Sequence, residues 1–405
     1  MSVGFAAAKI LTGLLYTFIM IRFIPSAKAD IDLFFGDGLE MYHRFWQDPS
    51  AFPAYLKEIF TITDFRLGNT DSDFIRTVFD GIKFIHFLLD FLSGGHIYTN
   101  VLLFNGLAAW LFLRCWVYLK KIFGHPWLGN WVFLFPSAFF FTSVILKEGI
   151  ELILMAVLIP ALSNLQKGRY FFKLVGVIIL FGLMFFFKYL IAATFAMVLF
   201  LFLVFKKFPG KSLVTSLIFF LALGGFFLGA GYIFPSLDFP NYIIERRMEF
   251  LELEANTELA MKDLEPTLRS FIYVFPEALY NVMLRPVPGE IEKPYYYFFM
   301  FELYGFWALI LYAIFSKRRS LKLHSPGPEA IAFLIFAIIN LIIIGYTITN
   351  TGAIIRYRSI FLPAIGYFFW SWLYGKHYAD EGFRIFPFRS DIFPSKKLKK
   401  QGKEQ

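Results

Sequence analysis

The chain has 405 residues, 58% of them hydrophobic and 56 of them phenylalanine, with a formal net charge of +9. Soluble globular domains are only about half apolar, so this composition excludes one and points to an integral membrane protein. The positive excess lies in short loops and the C-terminal tail, with no basic helix interleaved with aromatics, so it argues for membrane orientation and against nucleic-acid binding.

The apolar runs are continuous, not alternating, which predicts helices and not a barrel: an all-α polytopic protein. In chain order the expected spans are 5–25, 97–118, 126–143, 148–163, 171–187, 189–205, 212–234, 296–315, 330–347 and 358–374. Each approaches the length that crosses a core of about 30 Å at 1.5 Å per residue. The first run ends in Ala27-Lys28-Ala29, the A-x-A pattern of a signal-peptide cleavage site. Arg22 interrupts its apolar end and no basic cluster precedes Lys9, which favours a first membrane helix. Cys115 lies alone in an apolar run, so a single chain has no disulfide framework or thiolate metal site, and the residue reads as inert packing.

Two long segments, 26–95 and 235–295, separate the spans. The first contains DFIRTVFDGIKFIHFLLDFL, in which Asp80, Lys83, His86 and Asp90 recur at helical spacing, the pattern of an amphipathic interfacial helix. The second contains a charged, helix-like run with Arg246 and Arg247 among glutamates, which reads as a solvated helix. After it, FIYVFPEALYNVMLRP turns back toward lipid. Lys188, alone between two apolar runs, marks a turn.

Basic residues test this count. Residues 1–375 read as a single transmembrane domain, and Lys120 and Lys121, then Lys167, Arg169 and Lys173, then Lys206, Lys207 and Lys211, then Lys317, Arg318, Arg319 and Lys322, and the basic tail 376–405 all fall on one side of the membrane. The positive-inside rule makes that side, and both termini, cytoplasmic. The long segments 26–95 and 235–295 are then extracytoplasmic. The cytoplasmic loops are too short for a nucleotide-binding domain, and no Walker or GxGxxG pattern occurs, which excludes an ATP-driven pump or a cytosolic sugar-nucleotide enzyme.

Polar groups near span ends carry the candidate chemistry, because charge near lipid is costly. The first group is acidic: Asp30, Asp32, Asp37 and Glu40. A carboxylate there, with Asp37 in FFGDGLEMY preferred, suits a general base toward an acceptor hydroxyl. Asp30 and Asp32 form a D-x-D triplet, as do Asp71 and Asp73, and suit a divalent cation such as Mg or Mn, though acidic triplets are also common in hydrated loops. His43 has no second histidine at ligand spacing.

The second group is Lys147 and Glu148, at the turn between the third and fourth spans. Lys147 there is either a phosphate contact or part of a simple helix start, where Glu148 would favour the N-terminus. The third is IRYRSIFLP, in which Arg356 and Arg358 defy the positive-inside rule and present forks suited to phosphate oxygens. Two residues apart on a helix, they point differently, so one suits phosphate and the other a carboxylate such as Glu302 or Glu148. Arg285, in LYNVMLRPVPGE, is a further phosphate candidate.

The order of an acidic first loop, PSAFFFTSVILKEG, a loop ending VMLRP and IRYRSIFLP resembles polytopic bacterial glycosyltransferases of the type C class. It is most similar to O-antigen and exopolysaccharide polymerase-like members of the Wzy and EpsG kind. The resemblance implies a bacterial inner-membrane enzyme transferring a sugar or glycan repeat from a polyprenyl-phosphate-linked donor on the extracytoplasmic face. It also implies Asp37 as base and Lys147, Arg356 and Arg358 at the phosphate. The soluble C-terminal domain of many type C members is missing from this sequence. A lipid-linked glycan transporter or flippase and a non-catalytic envelope scaffold are the competing readings. The first would place charge deep in several spans; the second would tolerate changes at Asp37 and Arg356.

Overall fold

The computed structural model describes residues 2–23, 30–61, 73–123, 135–163, 170–207, 212–234, 238–252, 257–291, 294–317 and 328–374. Lys167, Arg169, Lys211, Arg318, Arg319, Lys322, the tail 376–405, Ala27-Lys28-Ala29 and Asp71 lie outside the described residues.

Among the described residues the structure is all-helical, and the only extended pairing is one bridge between Glu258 and Asn350. The helices are α1 (Ser2–Phe23), α2 (Asp30–Gln47), α3 (Phe52–Ile59), α4 (Asp73–Ser93), α5 (Ile97–Phe123), α6 (Pro136–Phe141), α7 (Lys147–Ser163) and α8 (Tyr170–Lys207). There follow α9 (Ser212–Ile233), α10 (Phe239–Glu252), α11 (Leu268–Met283), α12 (Tyr295–Lys317), α13 (Pro328–Thr347), α14 (Thr351–Ser359) and α15 (Leu362–Tyr374). Among the described residues, four stretches are long and apolar enough to cross a membrane: Gly4–Phe23, Ile97–Cys115, Phe171–Phe205 and Ala330–Thr347. This is an α-helical membrane protein.

Two breaks shape the bundle. The first follows α6, where residues 142–146 leave the helix before α7 begins. Freed backbone groups inside a bundle need partners. Asn105 Nδ2 donates to the Ser143 carbonyl at 2.7 Å, and the buried Lys9 ammonium donates to the Thr142 carbonyl at 3.0 Å. Gly13 of α1 makes this approach possible, since a Cβ there would lie 2.4 Å from both Asn105 Nδ2 and Ser143 O. The expected span 126–143 is therefore not one continuous helix: its C-terminal part is the short α6, and 126–134 lie outside the described residues.

The second break is at Lys188, with φ −147° and ψ 78° inside α8. Phe181 and Phe195 would be about 21 Å apart along a straight helix. Their ring centroids are 6.5 Å apart. The chain therefore folds back at Lys188, and the two arms lie side by side.

The last expected span, 358–374, divides into α14 and the 13-residue α15. Pro363 lacks the N–H that would carry α14 onward and instead sits in the first turn of α15. At about 20 Å, α15 is shorter than a bilayer core.

The helix α13 is central, packing against α8, α10, α11 and α15. Asn340 Nδ2 on it donates to Thr194 Oγ1 at 3.0 Å, a polar clasp between buried helices. Helix α11 packs against α13 near residue 346, with Tyr346 Oη donating to the Phe271 carbonyl at 2.6 Å. Helices α2, α3 and α4 form a separate layer around Met41, Phe52 and Phe87.

Candidate functional site

A cavity of about 740 Å³ opens where α2, α4, α7, α10, α13 and α14 converge on the turn at Lys188 of α8. Its floor is the start of α7, which contributes Leu146, Lys147 and Glu148, beside Phe187, Lys188 and Tyr189 of the α8 reversal. Tyr242, Arg246, Glu249 and Glu252 come from α10, Asn340 from α13, and Arg356 and Tyr357 from α14. Phe34 of α2 and Phe79 of α4 add apolar wall, joined by Ile343, Ile344, Ile348 and Phe361.

Helix α7 starts there because of a tight backbone: a Cβ on Gly149 would lie 2.5 Å from the Val144 carbonyl oxygen. That turn sends neighbouring side chains in different directions. Lys147 extends over the Phe79 ring, 3.7 Å from its centroid. Glu148 is buried, with Oε1 2.8 Å from Lys188 Nζ and Oε2 4.0 Å from Arg356 Nε. Lys188 and Arg356 both stand over Tyr357, at 4.5 Å and 4.9 Å from its centroid. On α10, Arg246 Nη1 meets Glu249 Oε2 at 2.6 Å and its Nε donates to Tyr242 Oη at 3.3 Å. Tyr242 in turn shares a short hydrogen bond with Tyr189.

Of the expected phosphate contacts, Lys147 and Arg356 meet in this cavity. Arg358 does not. It is fully buried, and its Nη1 donates to the carbonyls of Val282, at 3.1 Å, and Arg285, so it ties α14 to the end of α11. The carboxylate candidate Glu302 instead accepts from Ser137 N and Oγ at 3.0 Å. Arg285 is likewise elsewhere, 3.3 Å from Glu290 and stacked over Tyr280.

The expected base also sits apart from the cavity lining. Helix α2 already runs from Asp30, and it sends Phe34 into the cavity while Asp37, one turn later, pairs with Lys83 at 2.9 Å. Lys83 also meets Asp80 at 3.1 Å; partial burial pulls its pKa down, but these two hydrogen bonds leave it raised. Glu40 is exposed and paired with Arg44 at 2.7 Å. The side chains of Asp30 and Asp32 lie outside the described residues. Among the described residues no group of three or more His, Cys, Asp or Glu could hold a metal ion.

Lys188, Arg246, Glu148 and Glu249 complete the site: Glu148 meets Arg356 as one of the two carboxylates the sequence offers it, and Lys188 is the expected turn, but the sequence does not mark Lys188, Arg246 or Glu249 as site residues. Lys188 carried a usable signal, a lone charge between apolar runs. Arg246 carried none, hidden among the charges of its own helix. No family model, no curated protein and no solved structure matches the chain.

Proposed function

We propose that this protein is a membrane glycosyltransferase or polysaccharide polymerase that takes its sugar from a polyprenyl-phosphate-linked donor on the extracytoplasmic face of a bacterial inner membrane. The observation that carries the proposal is the cavity: four cationic side chains, Lys147, Lys188, Arg246 and Arg356, face one space with a largely apolar wall. Such a lining suits an anionic headgroup attached to a hydrocarbon chain.

In this reading the reaction is an inverting displacement at the anomeric carbon. The acceptor hydroxyl attacks, the bond from sugar to phosphate oxygen breaks, and the lipid phosphate leaves with the electron pair. Lys147 and Arg356 stabilise the charge that grows on the leaving oxygen, in a site already ordered for it. The hydroxyl proton passes to Glu249, which has solvent access and is held by Arg246. Glu249 thus takes the role that the sequence assigned to Asp37. Side-chain cations neutralise the phosphate.

The test is a deletion strain complemented with wild type, K147A, R356A, E249Q or D37N, with membrane-inserted protein measured in each and surface glycan analysed. K147A, R356A and E249Q are expected to lower glycan synthesis by about a hundredfold, while D37N stays near wild type. Normal glycan in K147A, R356A and E249Q alike would sink the enzyme reading.

A further inference from the structure

We propose that Glu148 is a positioning residue that fixes Lys188 and Arg356 as one anion-binding surface. The proposal rests on the anion-binding reading of the cavity, and asks what keeps two cations together in a largely apolar place.

Glu148 is 2% exposed, against 15% for Lys188 and 21% for Arg356. The carboxylate therefore lies behind the two cations and leaves their outer sides toward the cavity. It joins three elements: it opens α7, Lys188 stands at the α8 reversal, and Arg356 rides on α14. The Tyr357 ring beneath both cations offers each a face but cannot cancel their repulsion. A buried ammonium beside a guanidinium is retained only when a carboxylate offsets its desolvation and their mutual repulsion. Lys147 does not compete for that carboxylate, since it lies over Phe79 with no carboxylate within 4.0 Å among the described residues. The cavity lining holds four cations, Lys147, Lys188, Arg246 and Arg356, against three carboxylates, Glu148, Glu249 and Glu252, which leaves a positive excess.

Removing the negative charge would raise the local net charge, which by itself favours an anion. Position outweighs it here. Without Glu148 the two cations separate, and the surface that a phosphate would bridge is lost.

The experiment uses the full chain in nanodiscs, with farnesyl diphosphate and inorganic pyrophosphate as calorimetric probes. E148Q is expected to weaken both by about tenfold or more, and E148D, which keeps the charge, to bind within about threefold of wild type. In a K188Q/R356Q background, E148Q is expected to cause no further loss, because nothing remains for it to position. If E148Q alone does not fold, the triple variant, in which no cation at position 188 or 356 is left without its carboxylate, is compared with K188Q/R356Q instead. Further loss in that background means that Glu148 acts through the fold at large and overturns the proposal. Unchanged or tighter binding by E148Q overturns it too, the latter making Glu148 a competitor for the anion. Loss confined to farnesyl diphosphate also overturns it, since a residue behind the cations acts on the diphosphate of either probe. Wild type that binds neither probe overturns the anion-binding reading together with this one.

Discussion

At the scale of single residues, the buried ionisable groups divide by what each is bonded to. Arg358 serves the fold: R358A would strand the carbonyls of Val282 and Arg285 and leave a void the size of a guanidinium. A loss of about 3 kcal/mol or more is expected. It should appear as a lower thermal midpoint, with diphosphate binding by the folded fraction unchanged, the reverse of K147A. His86 is a different case. It is buried in α4, outside the spans, and burial pushes its pKa down to about 4, against which the Ile145 backbone acts only weakly. A histidine depressed in the folded state binds fewer protons than when unfolded, so its stabilisation is present above the unfolded value of 6.5 and lost as pH falls toward 4. The expected cost is about 3 kcal/mol across that window. Thermal midpoints measured from pH 7.5 to 4.5 should fall in wild type and flatten in H86F; parallel slopes would assign the loss to other groups.

At the scale of elements, close backbone approach decides what the helices can do. Gly13 lets α1, α5 and the break before α7 meet, and G13L should separate them and lower both the thermal midpoint and diphosphate binding, because the same break presents Lys147. A drop in stability with normal binding would show that the floor of the cavity holds without α1. The other decisive element is the reversal at Lys188. Its arms are each about 27 Å long, near the thickness of a bilayer core. Lys188, the one charge between the arms' apolar stretches, divides them, and the contact of Phe181 with Phe195 shows that the arms pack together.

At the scale of the whole molecule, much of the helical layout was legible from hydropathy, because a continuous apolar run in lipid has one backbone solution. The starts of α5, α7, α12 and α13 fall within a few residues of expectation. The break at 142–146 and the division of α14 from α15 were not legible, since both depend on partners distant in the chain, such as Asn105 and the end of α11. The site was half legible for the same reason. Lys147 and Arg356 stood out as charges at apolar boundaries, whereas Arg358 gave the same signal and turned out to be paired with backbone. Asp37 stands out in the sequence for its glycine frame, but that frame is helical, with Gly38 letting α2 approach α4 closely and Lys83 paired with Asp37. Orientation can be checked directly. Ser50 is exposed in the α2–α4 layer and the single cysteine, Cys115, is buried, so S50C in intact cells offers one accessible thiol. It should react with a membrane-impermeant maleimide from outside; protection until lysis would invert the topology. The pairing of Lys188 with Glu148 also bears on how the chain is built. The carboxylate is synthesised 40 residues before the ammonium it receives. In the proposed orientation the α8 hairpin would have to carry a charge across the bilayer tip first, and α7 would already hold the counter-ion at its destination. Insertion of the hairpin and completion of the cavity floor then become one event during biogenesis, so an E148A chain should stall as a half-inserted, protease-sensitive intermediate.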